Sequence, residues 1–311
     1  MFSLAQTLAK TIRRTAGMGV LIATASVLLL NAGAAPPAWS VWKQKRMESV
    51  AGTNGWITLV GLHWLQEGDN PAGSDSDQLI KLAGQATPGR IGTFFRTREK
   101  VRFVAFPGVA ASVDGSSVSE AWLRTDKEGK PSVVAIGELR LTVLSRGERL
   151  ALRVRQSTHP NRRAFQGLEY FEYQPEFRVE GIFVPHRLPK MLPMAVVTGG
   201  TTLERSPGKI RFRWQNRDYE LDALEDREEG DLFILFRDAT NGGATYAGGR
   251  YLHAALPGTN GQVVLDFNFA YNPPCAFTPF ATCQIPPAQN DLPFAIPAGE
   301  KRHRSTSHTI P

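Results

Sequence analysis

The stretch LDFNFAYNPPCAFTPFATCQIPPAQNDLPFAIPAGEK, from Leu265 to Lys301, decides how the C-terminal half of this chain folds. It contains both cysteines of the protein, and seven of the 21 prolines lie between Pro273 and Pro297. Because proline fixes φ and lacks a backbone donor, the residues after Asn272 are predicted to form neither a helix nor a central strand. The stretch therefore predicts a stiff loop with a defined path.

The residues before this loop alternate as in a β-strand. From Gln262 to Asn272, every second residue is apolar or aromatic, so this face is predicted to join the core. The other face is polar and includes Asp266, Asn268 and Asn272. Asp and Asn are poor strand formers, so they have another reason to be there. They either bond their own backbone at a strand end or belong to a site, and both explanations stay open.

The first 34 residues have the pattern of a signal peptide. Lys10, Arg13 and Arg14 precede an apolar run from Met18 to Leu30, and Ala32-Gly33-Ala34 follows as a cleavage site. The apolar run is too short to span a bilayer. We therefore expect a soluble periplasmic or secreted protein without a stable membrane anchor.

Export has a consequence for the two cysteines. An oxidising compartment favours disulfides, and Cys275 and Cys283 are the only cysteines of the chain. They are therefore predicted to be joined to each other within the proline-rich loop.

Composition and length are typical of a two-domain globular protein. The chain has 311 residues, of which 42% are hydrophobic and 21% charged. The formal charge is +7, without a stripe of Lys and Arg interleaved with aromatics, which argues against nucleic-acid binding. The predicted parts are a signal peptide (1–34), an N-terminal helix and β-sandwich (38–156), a C-terminal antiparallel β domain (158–301) and a disordered basic tail (302–311).

The N-terminal domain is predicted from short strands that follow one another without helices. Gly, Pro and Asp-Gly turns separate apolar runs between Gly68 and Gln156. The clearest pair places Leu139, Leu141 and Val143 opposite the apolar residues 150–154 across a tight turn. This spacing is typical of a sandwich or barrel.

This segment resembles the forkhead-associated β-sandwich. GDNPAGSDSDQLIKL (68–82) is similar to the opening of that family, and Val113-Asp114-Gly115 to its turn. The resemblance implies a sandwich fold. The arginine that grips phosphate in the family is Ser74 here, and Pro88-Gly89-Arg90-Ile91 replaces its S-x-x-H step. We therefore do not expect phosphothreonine binding, which depends on a guanidinium.

The C-terminal domain is predicted to be an antiparallel meander or barrel that carries the proline-rich loop. The turn at Pro257 to Gly261 joins two predicted strands as a hairpin, with Arg250 opposite the region of Asp266. Gly248 and Gly249 leave room for a ligand or another backbone. The hairpin brings five polar residues to one face, and these are the candidate ligand-binding residues: Tyr246, Arg250, Asp266, Asn268 and Asn272.

This constellation has more than one interpretation. In a purely structural one, Arg250 and Asp266 form a salt bridge under the loop. In the first functional interpretation, the cluster binds a polar small molecule or glycan, with an anionic ligand as one alternative. In the second, an envelope hydrolase uses Asp238 or Asp266 as acid or base, and Arg250 or Tyr246 stabilises charge. A scaffolding role of the sandwich is a further alternative.

Established catalytic motifs do not guide the choice. The chain lacks G-x-S-x-G, H-E-x-x-H and P-loop sequences, which leaves binding slightly favoured over catalysis. The body contains His63, His159, His186 and His253, and none is paired at metal-ligand spacing. We therefore expect neither a metal nor a cofactor.

Four long motifs resemble one bacterial family, the domain of unknown function DUF1684. They are GWITLVGLHWLQEGDN (55–70), FRDATNGGATYAGGRYL (236–252), LDFNFAYNPPCAFTPFATC (265–283) and AGEK (298–301). The resemblance runs from about Trp39 to Lys301. It implies neither a reaction nor catalytic residues.

Overall fold

A computed structural model of the chain describes residues 35–82, 87–226 and 229–303. The predicted signal peptide and residues 304–311 of the predicted basic tail lie outside the described residues. Among the helices that are described, none is long and apolar enough to cross a membrane.

The N-terminal module is a β-sandwich, as predicted. Its two sheets have the orders β1-β11-β10-β9-β6-β7 and β3-β2-β4-β5-β8, with an apolar core between them. The strands are β1 (Leu59–Trp64), β2 (Gly68–Gly73), β3 (Ile80–Lys81), β4 (Gly92–Thr97), β5 (Lys100–Ala105), β6 (Ser112–Val113), β7 (Ser116–Ser117), β8 (Glu120–Leu123), β9 (Val134–Ile136), β10 (Leu139–Arg146) and β11 (Arg149–Gln156).

The hairpin of β10 and β11 gives this sandwich a basic outer face. Leu141 pairs with Val154 and Val143 with Leu152 across a tight turn, which confirms the predicted pair. Gly147 in this turn has φ +62, a left-handed conformation that glycine adopts without strain. Since side chains alternate along a strand, the apolar residues of β11 enter the core and its arginines point away from it. Those arginines are Arg149, Arg153 and Arg155.

The C-terminal module is a single antiparallel sheet of order β16-β15-β14-β13-β12-β17. Its strands are β12 (Arg178–Ala195), β13 (Thr201–Trp214), β14 (Arg217–Asp226), β15 (Asp231–Phe236), β16 (Arg250–Ala254) and β17 (Gln262–Asp266). The sheet curls around its own apolar core. Its two ends approach each other, and Tyr251 exchanges two backbone hydrogen bonds of 2.9 Å with Tyr271. The predicted all-β fold, a sandwich followed by a meander that curls toward a barrel, is confirmed.

The predicted hairpin of β16 and β17 is wrong. β17 pairs with β12, and β16 pairs with β15, so the two strands lie at opposite ends of the sheet order. The strand also ends earlier than predicted: it stops at Asp266, and Phe267–Phe269 form a 3₁₀ turn. The side chain of Asp266 accepts a hydrogen bond from the Asn268 backbone N–H (3.2 Å) and so caps this turn.

Within the described ranges, two α-helices accompany the strands: α1 (Pro37–Ala51) and α2 (Pro160–Ala164). α1 packs on the C-terminal module, although the sequence places it with the sandwich. The indole N–H of Trp39 donates to the Asn268 carbonyl (3.2 Å). Arg46 pairs with Glu300 at 2.9 Å and donates to the Asn272 carbonyl at 2.7 Å. The helix therefore ties the chain's beginning to the residues on either side of the proline-rich loop.

The proline-rich loop (273–297) has the irregular but defined path that its prolines predict. Along it, regular structure is limited to 3₁₀ turns at Pro274–Ala276 and Ala288–Asn290 and to isolated bridges. Asn290 is buried and fixes the loop to the sheet. Its side chain accepts from the Asp222 backbone N–H (2.7 Å) and donates to the carbonyls of Asp222 (3.0 Å) and Leu235 (2.8 Å).

The predicted disulfide is not present, because Cys275 and Cys283 are both free thiols. The Cys283 sulfur accepts a hydrogen bond from the Cys275 backbone N–H (3.1 Å). The Cys275 sulfur accepts one from the Tyr246 hydroxyl (3.5 Å). Both sulfurs are thus held as hydrogen-bond acceptors, side by side within the loop. A hydrogen bond with Cys283 lowers the pKa of the Cys275 thiol, whereas burial raises the pKa of the Cys283 thiol.

Candidate functional site

A cleft of about 430 Å³ lies where the sandwich, the curled sheet and the proline-rich loop meet. The sandwich contributes the β10–β11 turn and β11, the curled sheet contributes β13, β15 and β16, and the loop contributes the segment around Cys283. Junctions between structural units are common places for small-molecule sites. The lining residues with aromatic or polar side chains are Trp56, Ser145, Arg146, Arg153, Thr202, Glu204, Phe233, Tyr251, Thr282, Cys283 and Gln284.

The sandwich wall of the cleft is basic. Arg146 pairs with Asp126 at 2.6 Å, and its Nε donates to the Thr282 hydroxyl at 3.2 Å across the junction. Arg153 lies beside it, with its guanidinium carbon 5.6 Å from the centre of the Trp56 ring. The Nε of Arg153 is buried without a hydrogen-bond partner among the described residues. The wall therefore offers at least one donor that the protein itself does not satisfy.

The opposite wall is polar and aromatic. Gln284 of the loop donates to Thr202 (3.1 Å) and to Glu204, both on β13. Tyr251 donates its hydroxyl hydrogen to the Gln284 carbonyl at 2.8 Å, and its ring meets Phe233 edge to face. Hydrogen bonds thus hold loop and sheet together on this side, so this part of the cleft is preformed. Aromatic walls with a few fixed polar groups suit a ring-bearing polar ligand.

The predicted site residues do not line this cleft. Arg250 is fully buried and pairs with Asp238 at 2.6 Å, not with Asp266. It also donates to the carbonyls of Ile296 (2.9 Å) and Ala298. Asp238 further accepts hydrogen bonds from the backbone of Thr240 (2.9 Å) and Ile296 (3.1 Å). This ion pair therefore lies inside the module, where it holds the end of the loop.

The polar residues at and after the end of β17 are also engaged by the protein. Asn268 is buried and bridges to Gln174, accepting from its backbone N–H and donating to its carbonyl, both at 2.9 Å. Asp266 accepts from the Tyr173 hydroxyl at 3.2 Å. Asn272 is buried and donates to Glu300 at 2.8 Å, while its own Oδ1 has no partner among the described residues. The strand-end explanation holds for Asp266, and all three residues organise backbone.

Tyr246 and the two glycines adjoin the loop. Burial raises the pKa of the Tyr246 hydroxyl, which therefore remains neutral beside Cys275. At Gly249, a Cβ atom would come within 2.6 Å of Pro286 and 2.8 Å of the Phe236 carbonyl. The proline-rich loop and a neighbouring backbone thus fill the space beside Gly249. Of the two predicted occupants, a ligand or another backbone, it is the backbone that lies there.

The structure also brings His253, for which the sequence offered no metal-ligand spacing, together with two aspartates that the sequence did not single out. Asp226 and Asp231 are direct partners in the β14–β15 ladder, and the Nδ1 of His253 lies 3.0 Å from Asp231 and 3.9 Å from Asp226. The Nε2 of His253 lies 2.8 Å from the Tyr271 hydroxyl. The ligand atoms of the two aspartates and the histidine fall within 4.8 Å of one another, a donor set that suits a divalent cation. Sequence spacing could not reveal it, because three different strands contribute.

Comparisons with known proteins place the C-terminal part in a family. A family model described as "Protein of unknown function (DUF1684)" matches residues 163–301. No curated protein matches the chain. An uncharacterized protein of Haloarcula marismortui, solved by solution NMR, is 33% identical over 45% of this chain and 78% of its own, with a TM-score of 0.38.

A second solved structure matches more distantly. The FHA domain of FhaA, in complex with the intracellular domain of a second protein, is 15% identical over 30% of this chain and 96% of its own. Its TM-score is 0.22. The C-terminal part of the chain, residues 163–301, belongs to the DUF1684 family of proteins of unknown function.

Proposed function

We propose that this protein is exported and binds a small molecule or glycan in the cleft between its two modules. The observation that carries the proposal is the cleft itself, about 430 Å³ in volume and lined by three aromatic rings and several polar groups. The apolar C–H faces of sugar rings and the faces of planar aromatic groups pack well against such rings. The walls come from sequence segments far apart, so folding of the whole chain is what assembles the site.

Binding is favoured over catalysis by the state of the candidate acids. Asp238 is buried in an ion pair with Arg250, and Asp266 caps a turn and bonds Tyr173. A general acid or base must reach its substrate within hydrogen-bond distance. An envelope hydrolase that uses Asp238 or Asp266 would first have to release these contacts, so it stays the second candidate.

Filling the cleft tests the proposal. Thr202 lines it from β13, whereas its neighbour Thr201 is exposed on the other face of the same strand. We expect Thr202→Trp to occupy the cleft and Thr201→Trp to leave it open. The measurement is the melting temperature of wild type and both variants with a panel of monosaccharides, amino acids and aromatic acids.

At least one compound should stabilise wild type and Thr201→Trp but not Thr202→Trp. Ligand binding to the native state raises the melting temperature by mass action, so the change in melting temperature reports whether the compound binds. A panel without any stabilising compound, or a compound that stabilises all three proteins equally, would contradict the proposal.

Export is supported by the signal-peptide pattern of residues 1–34. Ala32 and Ala34 occupy the −3 and −1 positions, so the mature chain should begin at Ala35 or within a residue or two. Intact mass of protein recovered from the periplasm or medium measures this. Exported material that retains Met1 would contradict it.

A further inference from the structure

Arg153 is the residue of the cleft whose environment points to a class of ligand. It projects from β11 on the face away from the sandwich core, and its Nε is buried without a hydrogen-bond partner among the described residues. A guanidinium carries five donors and stays charged in proteins. Leaving a buried donor of a charged group unsatisfied costs free energy. The Nε of Arg250 is also unsatisfied, but Arg250 lies in the core, whereas Arg153 lines the cleft, where a bound ligand can supply an acceptor to its guanidinium.

The charges around Arg153 are mostly positive, and the nearby carboxylate is already paired with another arginine. Burial, followed by the neighbouring cations Arg155 and Arg146, lowers the pKa of Arg153 to about 10. Asp126 opposes this effect, but that carboxylate already pairs with Arg146 at 2.6 Å and accepts from the Ser145 backbone N–H at 2.7 Å. The basic wall therefore holds more positive charge than its own carboxylate neutralises.

Glu204, the acidic residue that lines the cleft, lies on the wall opposite Arg153. Glu204 accepts a hydrogen bond from Gln284, which anchors the loop to β13. The two walls thus differ: one presents cations without enough acceptors, and the other presents a carboxylate together with aromatic rings. A ligand whose acidic group meets the basic wall and whose remaining part is polar matches this arrangement.

We infer that the ligand of the cleft is an organic anion, whose carboxylate or phosphate group binds Arg153 and whose ring packs against Trp56. The inference rests on the proposed function of the cleft and specifies the chemistry of its ligand. Arginine suits this role because its planar fork meets a carboxylate or phosphate with two parallel hydrogen bonds. Trp56 lies where a ring joined to that anionic group would stack, 5.6 Å from the Arg153 guanidinium carbon.

Paired compounds that differ only in charge test the inference. The probes are glucuronate with glucose, benzoate with benzamide, and inorganic phosphate, each titrated into the full-length mature protein by calorimetry. We expect an acid to bind roughly tenfold more tightly than its neutral counterpart, the size of one charge-assisted hydrogen-bond pair. Inorganic phosphate should bind more weakly than that acid because it lacks a ring.

Variants assign the preference to one side chain. Arg153→Met should remove the difference between acid and neutral compound, and Arg153→Lys should keep only part of it, since a lysine retains the charge without the fork. Arg149→Met is the matched control: Arg149 lies on the same strand but is exposed and packs over Trp64 at 3.5 Å. It should keep the full preference.

The outcomes separate this inference from the proposed function. If glucose or benzamide binds as tightly as its acid and Thr202→Trp abolishes both, the cleft is a binding site but the anionic ligand is wrong. If Arg153→Met keeps the preference for acids, Arg153 is not the anchor, and the inference fails. If inorganic phosphate binds as tightly as the best acid, the cleft selects a simple anion, and the inference that the ligand carries a ring is overturned. If no probe binds wild type, both proposals are overturned.

Discussion

Two arginines of this protein show what burial demands of a charged side chain. Arg250 is fully buried, yet Asp238 lies at 2.6 Å and two backbone carbonyls complete its surroundings. Arg153 is buried at its Nε and has no partner there among the described residues. The first arrangement stabilises the fold, because the charge is paired and both terminal nitrogens of the guanidinium donate, although the Nε of Arg250 is also buried without a partner among the described residues. The second leaves a donor for something that the chain does not supply.

Replacing Arg250 should therefore be costly. Arg250→Met leaves Asp238 as a buried charge without its partner, and we expect a loss of about 3–5 kcal/mol in the free energy of unfolding. Arg237→Met is the control, since Arg237 pairs with Asp291 at 3.2 Å near the surface and should contribute less than about 1 kcal/mol. Urea denaturation measures both. Equal losses would show that the buried pair does not fix the loop end.

Replacing Arg153 should instead increase the free energy of unfolding. The lowered pKa, about 10, reports that the charged form is disfavoured in the folded protein. Removal of this charge by Arg153→Met should raise the free energy of unfolding by about 1–2 kcal/mol without ligand. Arg155→Met should not stabilise, because Arg155 donates to the Asn54 carbonyl at 2.8 Å. A destabilised Arg153→Met would mean that the arginine has a structural role in the free protein.

Residue patterns alone could locate the polar cluster but not its partners. The sequence drew attention to Arg250, Asp266 and Asn268, and all three do form specific polar contacts. Their partners were unpredictable because β17 pairs with β12 and not with β16, so the contacts expected across the predicted hairpin do not form. The arginines of β11 were not among the predicted site residues. Their significance appears only when the loop and the curled sheet cover that face.

At the scale of elements, β17 shows where alternation misleads. The alternation continues through Phe267 and Phe269, so the sequence predicts one strand to Asn272. The chain turns after Asp266, because the aspartate side chain offers the Asn268 N–H a local partner in place of a neighbouring strand. The strand-terminating role of Asp was one of the two explanations that the sequence left open, and the local hydrogen bond decides between them.

The proline-rich loop is the element whose anchoring can be tested by mutation. Asn290→Ala removes a side chain that accepts from one backbone N–H and donates to two carbonyls, all of them buried. We expect a loss of roughly 2–4 kcal/mol, since those groups lose their partners. Hydrogen exchange should also accelerate at the Arg237 amide, which donates to the Asn290 carbonyl at 3.1 Å.

Asn161→Ala provides the control for this experiment. Asn161 is exposed in α2, and its replacement should change the free energy of unfolding by less than about 0.5 kcal/mol. If Asn290→Ala behaved like Asn161→Ala, the loop would be held by its apolar contacts and prolines, and not by this asparagine.

At the scale of the whole molecule, two modules could be predicted, but not their junction. Strand periodicity and turn residues are local, and they predict the sandwich and the curled sheet well. The junction is built from long-range contacts: the Thr278 hydroxyl donates to the Leu59 carbonyl at 3.2 Å, and Arg146 reaches Thr282. A small apolar cluster of Val50, Ile57, Tyr246, Ala276 and Phe277 joins α1, the sandwich edge and the loop. None of these pairings leaves a signal in local sequence.

The closing motif of the family segment is also tied to α1 and to the residue before the loop. Glu300, in the closing AGEK, pairs with Arg46 of α1 and accepts from Asn272 beside the loop. Tyr246, in the motif that contains Arg250, donates to the sulfur of Cys275 in the next motif. Arg250, Tyr246 and Glu300 thus contact the loop or the residues beside it, whereas the cleft carries the groups that a ligand can reach.

The central claim, that the cleft between the modules is the binding site, is tested most directly by one crystal structure. The protein is crystallised with the acid of the calorimetric panel that binds best. We predict electron density in the cleft, with the anionic group within hydrogen-bond distance of Arg153 and the ring against Trp56. Density for the acid elsewhere on the molecule, with the cleft holding only solvent, would contradict the account.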